Sequence, residues 1–247
     1  MKGIFWNSNG FADTKKYKFL SDLTKEKNLD FIAVSETGRA NYPQSTLNNI
    51  CAGRDFLWHG MAPRGRFGGM ILGVNLLTFD IGQIEEGDFF IRFMLRHKED
   101  DFKFNLISVY GPAQVDFKSQ FLSELVRVCS KETLPVIIGG DFNIIRRSDE
   151  KNNDNYNDRW PFLFNAVIDT LNLRELEMAG RKFTWANHLQ NQTFEKLDRI
   201  LVCTDFESKY PVTSVQALSR EISDHTPLLC STNSPSLAYT SHSSSLN

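Results

Sequence analysis

The stretch Ile137-Ile138-Gly139-Gly140-Asp141-Phe142-Asn143 joins an apolar run to a carboxylate and an amide through paired glycines. The run reads as a buried strand, and the glycines let the backbone turn at its end. Packing gives no reason for an Asp and an Asn there. A metal-phosphate site does, because Mg²⁺ takes a carboxylate oxygen and a phosphoryl oxygen takes a neutral donor. A second polar stretch of this kind, Ser223-Asp224-His225-Thr226-Pro227-Leu228, stands near the end of the chain.

Other residues share this grammar. Asn7 follows Phe5-Trp6, Glu36 follows Phe31–Ser35, and Tyr110 follows Leu106–Val109. Polar groups that end neighbouring strands gather on one edge of a sheet sandwich, where ligand clefts form. Asp198 instead lies within the apolar run Leu197–Val202. A buried carboxylate there needs a partner, and His225 is the expected one. A His held by a carboxylate suits acid–base work or phosphoryl binding, and an Asp at a strand end can activate water beside a metal.

Each residue alone has a plainer reading. Asp141 and Asn143 suit a turn, Glu36 a solvated edge, His225 a satisfied histidine, and Tyr110 a core ring with a wet tip. Trp6 and Trp185 read as packing residues. The recurrence of strand-ending polar groups along one chain is what outweighs these readings. Basic residues beside them, Arg146 and Arg147 after the Asp-Phe-Asn turn and Arg64 and Arg66 in a Gly/Pro-containing loop, are candidates for phosphate contact.

The elements that must position this set are short. Apolar runs at Gly3–Trp6, Phe31–Val34, Met70–Val74, Phe89–Leu95, Phe104–Tyr110, Val136–Ile138, Leu197–Val202 and Pro227–Leu229 have the length and β-branched or aromatic content of strands. The turn Lys98–Asp101 joins two of them as a hairpin. Helical periodicity covers Asp13–Lys27, Asp116–Ser130 and Trp160–Leu173, and Pro161 sits where a helix tolerates it. Many strands with few helices between them imply an α/β sandwich of two packed sheets with helices outside. The segment 146–159 reads as an exposed polar loop. The expected domain covers 1–232, and residues 233–247 read as a Ser-rich disordered tail.

The chain has 247 residues and a formal net charge of -2, so it is no basic nucleic-acid coat. Contact with a polyanion must come from local Lys and Arg with a cation helping. Four scattered cysteines without zinc-like spacing point to free thiols and a reducing compartment, nuclear or cytoplasmic. No apolar run reaches the length of a membrane helix, and no obligate protein partner is evident.

From Lys2 to about Ser231 the chain resembles the endonuclease/exonuclease/phosphatase superfamily. Trp6-Asn7-Ser8-Asn9-Gly10, Val34-Ser35-Glu36-Thr37, Val109-Tyr110-Gly111-Pro112, Gly140-Asp141-Phe142-Asn143, Leu197-Asp198-Arg199 and Ser223-Asp224-His225 look like its motifs in order. Gly180–Asn187, Leu197–Val202 and Ser223–Leu228 make it most similar to the endonuclease of plant LINE-type non-LTR retrotransposons. The resemblance implies a DNase I-like four-layer α/β sandwich of two packed mixed sheets, and Mg²⁺- or Mn²⁺-dependent nicking of DNA. It implies that Glu36, helped by Asn7, binds the cation, with Asp224 a further metal or histidine neighbour. Asp141 would handle the attacking water, Asn143 would hold the phosphate, and His225, oriented by Asp198, would contact it. Tyr110 would donate to the phosphate or protonate the leaving oxygen. Asn9 departs from the Asp that repair relatives carry at that place, which weakens the metal site and counts against a repair role. The alternatives are hydrolysis of a small phosphate ester, such as an inositol phosphate or lipid head group, and a silent retroelement relic.

Overall fold

A computed structural model describes residues 1–65, 68–131 and 134–233. The chain runs β1 (Lys2–Asn7), α1 (Thr14–Lys27), β2 (Phe31–Ser35), α2 (Gln44–Ile50), β3 (Phe56–Met61), β4 (Met70–Asn75) and β5 (Phe79–Glu86). It continues with β6 (Phe90–His97), β7 (Lys103–Tyr110), α3 (Val115–Ser130), β8 (Val136–Asp141), α4 (Arg159–Thr170), β9 (Leu173–Glu175) and β10 (Met178–Ala179). The last elements are β11 (Trp185–Ala186), β12 (Phe194–Glu195), β13 (Asp198–Cys203), α5 (Thr204–Lys209), β14 (Ser214–Ala217) and β15 (Leu228–Ser231).

Two large mixed sheets result, ordered β10-β14-β15-β1-β2-β4-β3 and β5-β6-β7-β8-β13-β9, with β11-β12 as a small separate hairpin. Phe5, Phe31, Ala33, Leu72, Phe93, Leu106, Ile137 and Ile200 fill the space between the sheets. On the outer face of the first sheet, Ile4, Trp6, Ile32 and Val34 pack with Leu20 and Leu23 of α1. Outside the second, Ile107, Val109 and Ile138 pack with Phe121, Leu125 and Phe164 of α3 and α4. Buried on both faces, these strands read as continuous apolar runs rather than alternating ones. The architecture is the four-layer α/β sandwich expected from sequence, with helices flanking two mixed sheets.

Side-chain alternation then places the polar groups. Phe5, Ile137 and Ile200 point between the sheets, so Asn7 and Asp198, two residues away on their strands, and Asp141, four residues away on its own, point there too. Tyr110 follows Leu106 on the same face. Strands β1 and β2 are parallel, as are β7 and β8, while β13 and β15 run antiparallel to β8 and β1. The C-terminal ends of the parallel four and the N-terminal ends of β13 and β15 therefore meet at one edge of the sandwich.

Several expectations change. Asp198 opens β13 rather than lying inside it, and pairs in register with Asp141 at the end of β8. It is thus a strand-edge group like the others. The segment 146–159 is not simply an exposed loop, because a 3-10 turn over Ser148–Glu150 buries Glu150. The helix expected over Asp116–Ser130 forms as α3, and its buried line is Phe121, Leu122, Leu125 and Val128. The cysteines Cys51, Cys129, Cys203 and Cys230 are free thiols. Thr232 ties to the N-terminal residue, its amide 3.0 Å from the Met1 carbonyl. The remainder of the Ser-rich segment lies outside the described residues. Among the described residues no helix is long and apolar enough to cross a membrane.

Candidate active site

Asp141 is fully buried at the end of β8. Its Oδ2 accepts from the side-chain amides of Asn7 and Asn143, both at 2.9 Å, and its Oδ1 accepts from the Asn143 backbone amide at 2.9 Å. The turn that delivers it depends on Gly140, whose φ of +136° suits glycine and whose added Cβ would stand 2.2 Å from the Val109 carbonyl. Asn143 sits in a left-handed conformation, φ 49°, which brings its amide back onto Asp141 and the Gly111 carbonyl. Lys118 of α3 holds the same turn by donating to the Asn143 carbonyl at 2.6 Å.

Asn7 bridges from Asp141 to Glu36, its amide 3.1 Å from Glu36 Oε1. Tyr110 donates to that same oxygen at 2.7 Å. Burial, then the Glu36 charge, raises the Tyr110 pKa, so the phenol keeps its proton. Glu36 is also left-handed, φ 54°. Its backbone is held because Gly38 N donates to the Gly68 carbonyl at 2.6 Å and Thr37 N to Gly69 at 3.3 Å. A Cβ on Gly68 would lie 2.9 Å from Glu36 Cα, so only glycine lets this strap approach.

His225 is buried, and its Nδ1 lies 2.9 Å from Asp198 Oδ2. Its Nε2 faces Asp141 Oδ2 at 3.8 Å. Burial works to lower the His225 pKa, but the charges of Asp198 and Asp141 outweigh it and hold the ring protonated. Asp141 is shifted upward by burial, against the pull of His225. Asp224 Oδ2 accepts from the Trp185 indole N–H at 3.0 Å, and its Oδ1 from Ser223 at 3.4 Å.

Asp141, Asp198 and His225 place ligand-type atoms within 4.8 Å of one another. Since Nδ1 of the ring is committed to Asp198, the trio reads as a proton-handling chain rather than a metal cage. The donors suited to a hard cation stand beside it. Glu36 Oε2 has no hydrogen-bond partner among the described residues, whereas Oε1 has two. An uncommitted carboxylate oxygen is the donor type that Mg²⁺ or Mn²⁺ takes, and the Asn7 amide links Glu36 to Asp141, so Glu36 fits the cation.

The structure thus brings together Asn7, Glu36, Tyr110, Asp141, Asn143, Asp198 and His225, with Asp224 adjoining. It does not bring the expected arginines to them. Arg146 pairs with Glu175 at 2.8 Å and Asn165 at 2.7 Å. Arg147 pairs with Asp149 at 3.1 Å, and Arg64 with Asp88 at 3.0 Å. Arg66 lies outside the described residues.

Three supporting residues escaped the sequence reading. Thr184 Oγ1 accepts from the Leu197 and Asp198 amides, both at 2.9 Å, and so fixes the start of β13. Trp185 is more than packing, because its indole holds Asp224. Lys16 reaches back from α1 and donates to the carbonyls of Ser8, Asn9 and Gly10 at 2.5, 3.1 and 2.7 Å, locking the turn after Asn7.

The family these elements define matches residues 4–225 under the description Endonuclease/Exonuclease/phosphatase family. The chain belongs to that family. Among solved structures, the endonuclease domain of TRAS1, a telomere-specific non-LTR retrotransposon, is similar at TM-score 0.68 and 14% identity, over 93% of this chain and 96% of that one. The AP endonuclease LMAP from Leishmania major reaches 0.72 at 14% identity, over 93% and 86%. A mannosyl-6-phosphatase from Bacteroides thetaiotaomicron reaches 0.60 at 12% identity, over 94% and 98%. At such identities the likeness is one of fold, and it spans both nucleases and a phosphatase. No curated protein sequence matches the chain.

Proposed function

We propose that this chain is a divalent-metal-dependent phosphodiesterase that nicks DNA, of the LINE-type endonuclease class. The observation that carries the reading is the buried relay Asp198–His225–Asp141, with Nε2 of the ring 3.8 Å from Asp141. Beside it, Glu36 keeps a free carboxylate oxygen. Whole-length likeness to a retrotransposon endonuclease domain and the Leu197–Val202 and Ser223–Leu228 motifs support DNA as substrate.

In this reading Glu36 and Asn7, with Asp224 near, hold Mg²⁺ or Mn²⁺. The cation supplies neutralisation of phosphate charge. Asp141, held by Asn7 and Asn143, takes the proton of the attacking water. Asn143, whose amide protons go to Asp141 and the Gly111 carbonyl, keeps that carboxylate in place, and the protonated His225 ring offers Nε2–H to the phosphate oxygens. Tyr110, which retains its proton, donates toward the phosphate or the leaving oxygen.

The test is conversion of supercoiled plasmid to the open circle. Nicking is expected with Mg²⁺ or Mn²⁺ and none with EDTA. Release of inorganic phosphate from small esters, without nicking under any divalent metal, would move the assignment to the phosphatase branch.

The pH dependence follows from the two shifts. Asp141 must be unprotonated, so kcat/KM is expected to fall as pH drops, on a limb above the ordinary carboxylate value of 3.8. His225 must be protonated, so activity is lost as pH rises through its raised pKa. Asp198→Asn removes the leading charge that raises it, and the alkaline limb should move to lower pH. An unmoved alkaline limb would show that Asp198 does not act through His225.

A further inference from the structure

Asn9, Lys16, Asn187, Gln192, Arg220 and Asp224 line an open, mostly polar cavity of about 390 Å³ beside the catalytic group. Its two cations differ in what they have left to give. Lys16 spends its three protons on the carbonyls of Ser8, Asn9 and Gly10. Arg220 has one marginal contact, Nη1 to the Asp224 carbonyl at 3.5 Å, and lies over the Phe194 ring at 6.0 Å. Neither Arg220 nor the nearby Arg181 holds a carboxylate among the described residues. Arg64, Arg96, Arg127, Arg146, Arg174 and Arg199 do, and Arg39, Arg54 and Arg159, which hold none either, do not line the cavity. The local acids are committed elsewhere, Glu221 to Ser219 at 2.7 Å and Asp224 to Trp185 at 3.0 Å. Arg181 is close enough to depress the Arg220 pKa alongside burial. Asp224 is the acid that draws on Arg220, but its carboxylate oxygens are taken by Trp185 and Ser223, so the remaining guanidinium donors are left for an anion.

We infer that this cavity is a second phosphate subsite, in which Arg220, backed by Arg181, takes the backbone phosphate that neighbours the scissile one on a DNA strand. This rests on the endonuclease reading above and deepens it. A site for two successive phosphates selects a polynucleotide over a phosphomonoester. The unsatisfied donors of Arg220 suit a phosphate, since a guanidinium fork matches two phosphate oxygens. The side chains of Asn9 and Gln192 make no hydrogen bond among the described residues and stand ready beside it.

The experiment measures binding of a fluorescein-labelled duplex by anisotropy as salt is raised, in the Asp141→Ala background with Ca²⁺ present. Arg220→Gln is expected to lower the slope of log Kd against log salt by about one, and to weaken binding about eightfold at 0.1 M salt, the loss of one phosphate contact. Arg181→Gln should act in the same direction, Arg220→Lys should restore much of the slope, and thermal midpoints should stay together. An unchanged slope in both Gln variants, while the protein with Asp141 intact nicks plasmid, overturns the subsite and leaves the endonuclease reading intact. A parent that neither nicks nor binds DNA overturns both. If inositol 1,4-bisphosphate instead binds through Arg220 while DNA binding ignores that residue, the subsite belongs to a small polyphosphate and the inference fails.

Discussion

Asp141→Ala is expected to lower the rate of plasmid nicking by roughly 10³–10⁵-fold while leaving the protein folded. Asp141 joins the two halves of the site. Its oxygens take hydrogen bonds from Asn7 and Asn143 and face the His225 ring. Replacing it removes the group that receives the proton of water. The fold should tolerate the change, because the site keeps carboxylates close for function rather than for stability. Asp141 and Asp198 are opposite one another in register, and Asp198 raises the cost of charging Asp141. Deleting one acid relieves that repulsion and the burial cost, offsetting the hydrogen bonds lost. Single-turnover nicking and a thermal melt read the two effects separately. The double variant Asp141→Ala/His225→Ala should lose little more than either single one, since groups that act as a unit are not additive. Retention of activity within about tenfold in Asp141→Ala would place water handling on another residue.

What the sequence displayed and what it hid divide along physical lines. The acids and amides of the candidate site could be picked out because each stands at the end of an apolar strand. Those strands were visible because sandwiching between helices and a second sheet makes both faces apolar, as in Ile137-Ile138 of β8 and Phe31–Val34 of β2. Edge strands were harder. In β5, Asp80, Gln83 and Glu85 break any pattern, and Leu57–Gly60 of β3 are only half-buried. The two-residue strands β11 and β12 owe their existence to tertiary contacts, Trp185 pairing with His225 and Glu195 with Lys151. Lys16 was unreadable for a similar reason. Within α1 it is one lysine among several, and its three acceptors exist only once the turn at Ser8–Gly10 has formed. The arginines failed in the other direction. Proximity to Asp141 in sequence made Arg146 look like a phosphate ligand, yet chain distance says nothing of Glu175, which arrives from β9 to claim it. Arg220 was passed over because the absence of a partner cannot be seen in a sequence.

The same network that claims Arg146 leads to the largest expected change in stability. Arg199 is fully buried on the face of β13 opposite Asp198. Its guanidinium lies 3.0 Å from Glu175 and 3.1 Å from Glu150, donates to the Ile144 carbonyl at 3.1 Å, and stacks over Phe164 at 5.6 Å. It therefore ties the turn that follows Asn143 to the strand that carries Asp198. Burial raises the Glu175 pKa, but Arg199, then Lys196 and Arg146, pull it from 4.5 to about 2. A depressed carboxylate gives stability that is fully present above its unfolded pKa and is lost as pH falls toward about 2. Arg199→Met keeps much of the volume and removes the charge. Glu175 retains Lys196 and Arg146, but Glu150 is left with the Arg146 backbone amide at 2.5 Å and an Arg147 guanidinium at 3.8 Å. A buried carboxylate so exposed to desolvation costs about 3–5 kcal/mol. Urea unfolding at pH 7 measures this, and a deficit of Arg199→Met against the parent that is small there would show that the guanidinium is not what holds these carboxylates.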